Sequence, residues 1–231
     1  MLFLPDRNYD FEIGIDEVGR GCLAFDAYVA AVAYPKDILH RFFDGPDEKI
    51  MDGIKDSKKM TPQMRNKAED VIKRYASYWT VNRATVEDID RINIFNAIQE
   101  SMELGVRNAM DNLPKNDKKY KVLIDGDRFL AMDRFRDGDC INIECIPGGD
   151  AQYLSIASAS VLAKVQRDRD VLSITERHKE EEWQHKYGFI SNKAYGTKYH
   201  LDGLRKYGVC PYHRMSFNPM KNMFAFRDAY D

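Results

Sequence analysis

Apolar and polar residues recur along this chain with two periods. Phe11, Ile13 and Ile15 alternate with Glu12 and Gly14, and Ala27 to Ala33 forms a second run of small and β-branched residues closed by Pro35. A period of two with a terminal proline predicts strands. SYWTVNRA (77–84) predicts a third strand, and KVLID (121–125) and INIECI (141–146) predict two more. A helix is expected from Pro62 to Arg74, with Thr61 as N-cap and Pro62 at the first helical position. A longer one runs from Ile94 to Asn112 and stops before Pro114. After Gly148-Gly149 a long helix begins, with Leu154, Ala157, Ser158, Val161, Leu162 and Val165 on one apolar, small-residue face. The order of elements predicts one α/β core, antiparallel at first and parallel later, followed by a helical C-terminal appendage.

Composition narrows the class. With 231 residues and 44% hydrophobic content, the chain has enough apolar surface for a sizeable core. No repeat or low-complexity linker divides it. The opening MLFLPDRNYD is too short for a signal-peptide core, and the longest apolar run, Ala27 to Tyr34, cannot span a bilayer, so a cytoplasmic protein with no membrane partner is expected. Cys22, Cys140, Cys145 and Cys210 form no C-x-x-C pair, which argues against zinc and for reduced, partly buried thiols.

The net charge of −2 conceals an asymmetry. From Lys186 to Lys221 there are seven Lys or Arg against the single acid Asp202, interleaved with Tyr187, Tyr195, Tyr199, Tyr207 and Tyr212. Bases beside aromatic faces suit phosphate neutralisation and stacking, although a solvated basic helix pair would have the same composition.

The stretch GRGCLA (19–24) matches the dinucleotide fingerprint G-x-G-x-x-A. A nucleotide loop should lead into a helix, whereas a strand pattern follows here, so the match is accidental. Asp16 and Glu17 immediately precede it, Asp125 ends the strand KVLID, and Asp150 follows Pro-Gly-Gly at the start of the long helix. Acids at strand ends can converge on one sheet edge, and hard oxygen donors without His or Cys favour Mg²⁺ or Mn²⁺. Each also has a plainer reading: a polar turn for Asp16 and Glu17, a turn cap for Asp125, an N-cap for Asp150. Adjacent strand residues face opposite sides, so Asp16 and Glu17 could share a metal only if the strand ends or bulges there.

Six ordered blocks, IGIDEVGRG, KDSKKM, VLIDGDR, SIASASVLAKVQRD, YGFISNKAYGT and HRMSF, together resemble ribonuclease HII, the bacterial type 2 ribonucleases H, from about residue 12 to 219. The resemblance implies a ribonuclease H-like fold, a five-stranded mixed sheet flanked by helices. It divides the chain into a catalytic core, residues 1–180, and a basic helical substrate-binding region, residues 181–231. The implied activity is a divalent-metal-dependent endonuclease that cuts RNA in RNA–DNA hybrids and nicks duplex DNA 5′ of an embedded ribonucleotide, leaving 3′-hydroxyl and 5′-phosphate ends. Nothing in the sequence calls for an obligate protein partner.

By position, Asp16, Glu17, Asp125 and Asp150 correspond to the family's ligands for two Mg²⁺ or Mn²⁺ ions, which would hold the attacking water and the leaving 3′-oxygen. Gly19, Arg20 and Gly21, joined by Tyr195, correspond to its reader of the ribose 2′-hydroxyl. Lys58, Lys59, Lys164 and Arg167 correspond to phosphate contacts. Another nuclease of the same fold, a type 1-like ribonuclease H or a junction resolvase, would keep the carboxylates without needing the glycine-arginine-glycine or Tyr195.

The chain departs from the family pattern at Cys22, where proline is usual, and at Ala194 and Gly196 around Tyr195, where glycine and proline are usual. The charged segment 126–149 is expected to form an extended hairpin.

Overall fold

The computed structural model describes residues 3–45, 54, 60–115, 117–135 and 140–225. Its elements are β1 (Phe11–Val18), β2 (Ala27–Pro35), α1 (Lys36–Asp44), α2 (Pro62–Tyr75), β3 (Tyr78–Ala84), α3 (Val86–Ile92), α4 (Ile94–Asn112), β4 (Tyr120–Asp125), β5 (Ile141–Ile146), α5 (Leu154–Arg177), α6 (Trp183–Tyr187), α7 (Phe189–Asn192), α8 (Lys198–Tyr207) and α9 (Met220–Ala225). The five strands form one sheet in the order β3-β2-β1-β4-β5. β1 is antiparallel to β2 and parallel to β4, and β4 is parallel to β5, so the sheet is mixed in the expected sense.

Local signals act where the pattern placed them. Thr61 Oγ1 accepts from the Met64 N–H at 3.3 Å at the start of α2, and Pro62 takes the first helical position, where its missing N–H is not needed. The predicted hairpin over 126–149 is incorrect. β4 and β5 pair in parallel from Tyr120↔Ile141 to Asp125↔Ile146, so the chain must cross back between them, and it does so through a 3₁₀ turn at Met132–Phe135. Two helices were not expected: α1, directly after Pro35, although Ile38, Leu39, Phe42 and Phe43 recur at helical spacing, and α3, capped by Thr85 Oγ1 accepting from the Asp88 N–H at 3.1 Å.

The chain forms two compact units. The first comprises residues 1–18, 28–82 and 99–165, and the second residues 19–27, 83–98 and 166 onward. In the first, Tyr28, Ala30, Val32 and Tyr34 of β2 pack with Leu39, Phe42, Ile72 and the α5 residues Leu154, Ala157 and Val161. Each fully buried Leu, Ile or Phe of such a cluster stabilises by roughly 1.5–3 kcal/mol. The small residues of α5 let its backbone lie directly on the sheet. A Cβ on Gly14 would stand 2.1 Å from the Ser155 carbonyl carbon and 2.2 Å from the Ile156 nitrogen, so only glycine fits there. The α5 hydroxyls in turn satisfy buried polar groups of the sheet, Ser155 Oγ donating to Glu12 Oε1 at 2.6 Å and Ser158 Oγ lying 3.0 Å from the Tyr34 hydroxyl.

The second unit has its own core of Leu23, Phe25, Val171, Trp183, Tyr187, Phe189, Leu204 and Met220. Phe25 meets Phe189 edge-on, with ring centroids 4.8 Å apart. Within the same unit the Asp90 carboxylate accepts from the Met215 and Ser216 N–H groups at 2.9 Å each.

Candidate active site

Within the first unit, strand register carries three of the four candidate carboxylates to one edge of the sheet. The last parallel pair of β1 and β4 is Ile15↔Ile124, so Asp16 and Asp125 follow it on neighbouring strands. Carboxyl ends of parallel strands are where α/β sheets form sites. The last pair of β4 and β5 is Asp125↔Ile146, after which Pro147, Gly148 and Gly149 lead into a 3₁₀ turn, Gly149–Ala151, that carries Asp150. Gly148 is left-handed at φ 67°. The Gly149 N–H donates to Asp125 Oδ1 at 2.7 Å, which ties this turn to the end of β4. Asp150 therefore lies in a separate turn ahead of α5, which begins at Leu154, and is not that helix's N-cap.

On the β4 side the pairing of β1 ends at Ile15↔Ile124, immediately before Asp16 and Glu17, so there the strand does end, although on the other side it does not bulge. The β1–β2 ladder continues through Asp16↔Ala30, Glu17↔Val29 and Val18↔Tyr28. Asp16 is 5% exposed and Asp150 4%. Burial raises the Asp16 pKa well above the usual carboxylate range, and the charges of Asp125 and then Glu17 push it the same way, against hydrogen bonds from Ser160 and the Glu17 N–H. A buried carboxyl repelled by two others is a site that gains from a cation. Among the described residues no three Asp, Glu, His or Cys side chains stand as a ready-made coordination group. The donor chemistry nevertheless fits a hard divalent ion, being entirely carboxylate oxygen.

The second unit holds Gly19, Arg20, Gly21, Arg167 and Tyr195. Gly19 is left-handed at φ 88°, and a Cβ there would lie 2.5 Å from Arg167 Nε. Two buried arginines fix residues 19–25 through carbonyl oxygens: Arg167 donates to Lys193 at 3.0 Å and Ala24 at 3.4 Å, and Arg214 to Phe25 at 2.9 Å and Arg20 at 3.1 Å. Burial lowers the Arg214 pKa to about 10. Arg167, expected at a phosphate, is 1% exposed, and its guanidinium clamps this loop through carbonyls. Lys164 is partly buried, and Lys58 and Lys59 lie outside the described residues.

Tyr195 is 44% exposed, with its ring beside Gly21. Its side chain shares a hydrogen bond with Cys22; burial first, and Cys22 next, raise the phenol pKa and keep it protonated. Its backbone is well held despite the alanine before it: the N–H donates to Asn192 O at 3.0 Å, the carbonyl accepts from Thr197 N at 2.8 Å, and a bridge joins it to Cys22. The pattern in the sequence assigned no role to Arg214, His200 or His213. HRMSF was the only sign of the last arginine and histidine, and it carries no chemistry without the tertiary contacts.

A five-stranded mixed sheet in this order, with acids at the ends of its parallel strands, is the ribonuclease H-like fold. Among solved structures, ribonuclease H2 from Pyrococcus horikoshii superposes with a TM-score of 0.64 at 20% identity, over 96% of this chain and 100% of that one. Bst-RNase HIII in complex with Mn²⁺ superposes with a TM-score of 0.59 at 18% identity, over 95% of this chain and 70% of that one. The profile of the family Ribonuclease HII matches residues 13–220. Ribonuclease HII of Chlorobium luteolum is 41% identical over 204 residues, 88% of this chain and 86% of the relative. The chain belongs to the ribonuclease HII family, and it is a type 2 ribonuclease H, an endonuclease. Among the described residues no helix is long and apolar enough to cross a membrane.

Proposed function

We propose that this endonuclease uses divalent metal to hydrolyse the RNA strand of RNA–DNA hybrids and to nick duplex DNA on the 5′ side of a single embedded ribonucleotide, leaving 3′-hydroxyl and 5′-phosphate ends. The observation that carries the reading is the buried, charge-crowded Asp16 beside Asp125 at the carboxyl ends of two parallel strands. Asp16, Glu17, Asp125 and Asp150 would hold two ions, Mg²⁺ or Mn²⁺, as oxygen donors. The structural relative solved with Mn²⁺ supports that class of ion. When bound, such ions activate a water for attack on phosphorus and stabilise the leaving 3′-oxygen.

The remaining work falls to the chain itself. Asp125 Oδ1 accepts from the Gly149 N–H, which orients its carboxylate. Gly19, Arg20 and Gly21 would present backbone polar groups to the 2′-hydroxyl, the one feature that marks a ribonucleotide within DNA. Tyr195, protonated at neutral pH, would donate to the same hydroxyl and stack on the neighbouring sugar. Lys164, with Lys58 and Lys59, would meet phosphates, and the basic region 181–231 would hold the duplex beyond a core of residues 1–180. The setting would be cytoplasmic, and the partner a nucleic acid.

Asp125→Asn tests the metal assignment, because the amide oxygen can still accept from Gly149 while the charge is lost. Cleavage of a hybrid should fall by more than about 10²-fold, as when one charge-stabilising group is removed. Mn²⁺ should also raise the thermal midpoint of the wild type and not of the variant. Near-wild-type cleavage would refute the assignment.

A further inference from the structure

A chain of two buried imidazoles in the second unit ends on the Tyr195 carbonyl, and its proton positions follow from its ends. That carbonyl oxygen lies 3.0 Å from His200 Nδ1 and can only accept, so His200 Nδ1 carries the proton. In a neutral ring His200 Nε2 is then an acceptor. It stands 3.0 Å from His213 Nε2, which must donate. His213 Nδ1 is thereby left as an acceptor, and the Cys210 N–H donates to it at 2.9 Å. The opposite arrangement would let His213 Nδ1 donate to the Cys210 carbonyl, 3.3 Å away, but would turn a lone pair of His200 toward the Tyr195 oxygen at 3.0 Å, so the Tyr195 end decides.

Both rings are buried, at 0% and 1% exposure, in a cage formed by Tyr187 and Phe189. Tyr187 donates its hydroxyl to Gly208 O, and Cys210 is the other titratable neighbour. Burial lowers the pKa of His200, and burial together with His200 lowers that of His213 to about 4, so the pair is neutral at neutral pH. Just ahead of Tyr195, Lys193 and Ala194 are left-handed at φ 52° and 63°, a conformation that residues with side chains adopt only under restraint.

We propose that His200 and His213 are positioning residues that set Tyr195 for the single 2′-hydroxyl, so that this pair governs discrimination of an embedded ribonucleotide from DNA and not the cut itself. The proposal rests on Tyr195 being the ribose reader. Two substitutions separate the halves of the relay. In His213→Asn the amide oxygen can replace Nδ1 and accept from Cys210, but nothing reaches His200. In His213→Gln the amide nitrogen takes the place of Nε2 and can still donate to His200.

The readout is affinity, by fluorescence anisotropy in EDTA, for a DNA duplex with one ribonucleotide against the all-DNA duplex, together with kcat and KM for nicking. His213→Asn should lower the preference about ten- to hundredfold, the loss that a misplacement of roughly 1 Å produces. Cleavage of a continuous RNA–DNA hybrid should hold near wild type, and His213→Gln should restore most of the preference. A folded His213→Asn with wild-type preference, or equal loss on both substrates with no rescue by glutamine, overturns the proposal.

Tyr195→Phe, measured alongside, separates the two levels. Unchanged preference there refutes the reader itself, whereas a loss there with none in His213→Asn refutes the relay alone. Nitrogen-15 NMR of the unaltered protein needs no variant: His200 should be protonated on Nδ1 and His213 on Nε2, and the reverse tautomers overturn the proposal.

Discussion

His213→Asn should flatten the acid side of this protein's stability profile. The His213 pKa lies near 4 in the fold against 6.5 as the ordinary value, because burial and His200 disfavour the imidazolium. The neutral ring's contribution is complete above about pH 6.5, declines as the pH falls toward 4, and does not fall further below that. At about 1.36 kcal/mol per pKa unit the full span is about 3 kcal/mol, of which about 2 kcal/mol is already lost on going from pH 7.5 to pH 5. Glu12 and Asp16, whose pKa values are raised chiefly by burial, contribute with the opposite sign, so the wild-type profile alone does not isolate the histidine. The difference between wild type and variant does. Urea unfolding of both at pH 7.5 and pH 5 should show the stability gap narrowing by about 2 kcal/mol at the lower pH. Equal losses in the two proteins would refute the assignment of a neutral, buried His213.

Gly14→Ala should be severely destabilising, because its methyl would meet backbone atoms of Ser155 and Ile156 at 2.1–2.2 Å and α5 would have to lift from the sheet. A loss of about 3 kcal/mol or more should lower the thermal midpoint by ~6 °C or more, and a midpoint equal to wild type would contradict the close packing of α5 on β1. Hybrid affinity in EDTA should fall steeply with KCl, each phosphate contact adding about 0.9 to the logarithmic slope. Arg214 is fully buried, which withdraws it from the seven bases between Lys186 and Lys221, and a salt-independent affinity would remove the phosphate-binding reading of that segment.

The strands and the long helices were legible because their signals are local: alternation in β1, Thr61-Pro62 ahead of α2, Pro114 beyond α4. The acids were legible as candidates because Asp16, with Glu17 after it, and Asp125 close apolar strand runs, and Asp150 follows Pro-Gly-Gly after another. Pairing was not. The register Ile15↔Ile124 joins residues more than a hundred positions apart, and segment 126–149, read as a hairpin, instead carries the crossover between the parallel strands β4 and β5. Buried polar residues were hidden for a related reason. Arg167 read as a phosphate contact, Arg214 only as one of the seven bases between Lys186 and Lys221, and His200 and His213 carried no reading, whereas tertiary packing encloses all four and directs Arg167, Arg214 and His200 to carbonyls of Lys193, Ala24, Phe25, Arg20 and Tyr195.

The central claim is that carboxylate-held metal cuts where a single 2′-hydroxyl is read. Its most direct test is a DNA duplex carrying one ribonucleotide, incubated with the protein in Mg²⁺, in Mn²⁺ and in EDTA, with the all-DNA duplex beside it and the products mapped to the nucleotide. The account predicts one metal-dependent nick on the 5′ side of the ribonucleotide, with 3′-hydroxyl and 5′-phosphate ends, and an intact all-DNA duplex. Cleavage that persists in EDTA, or that requires several consecutive ribonucleotides, would contradict it.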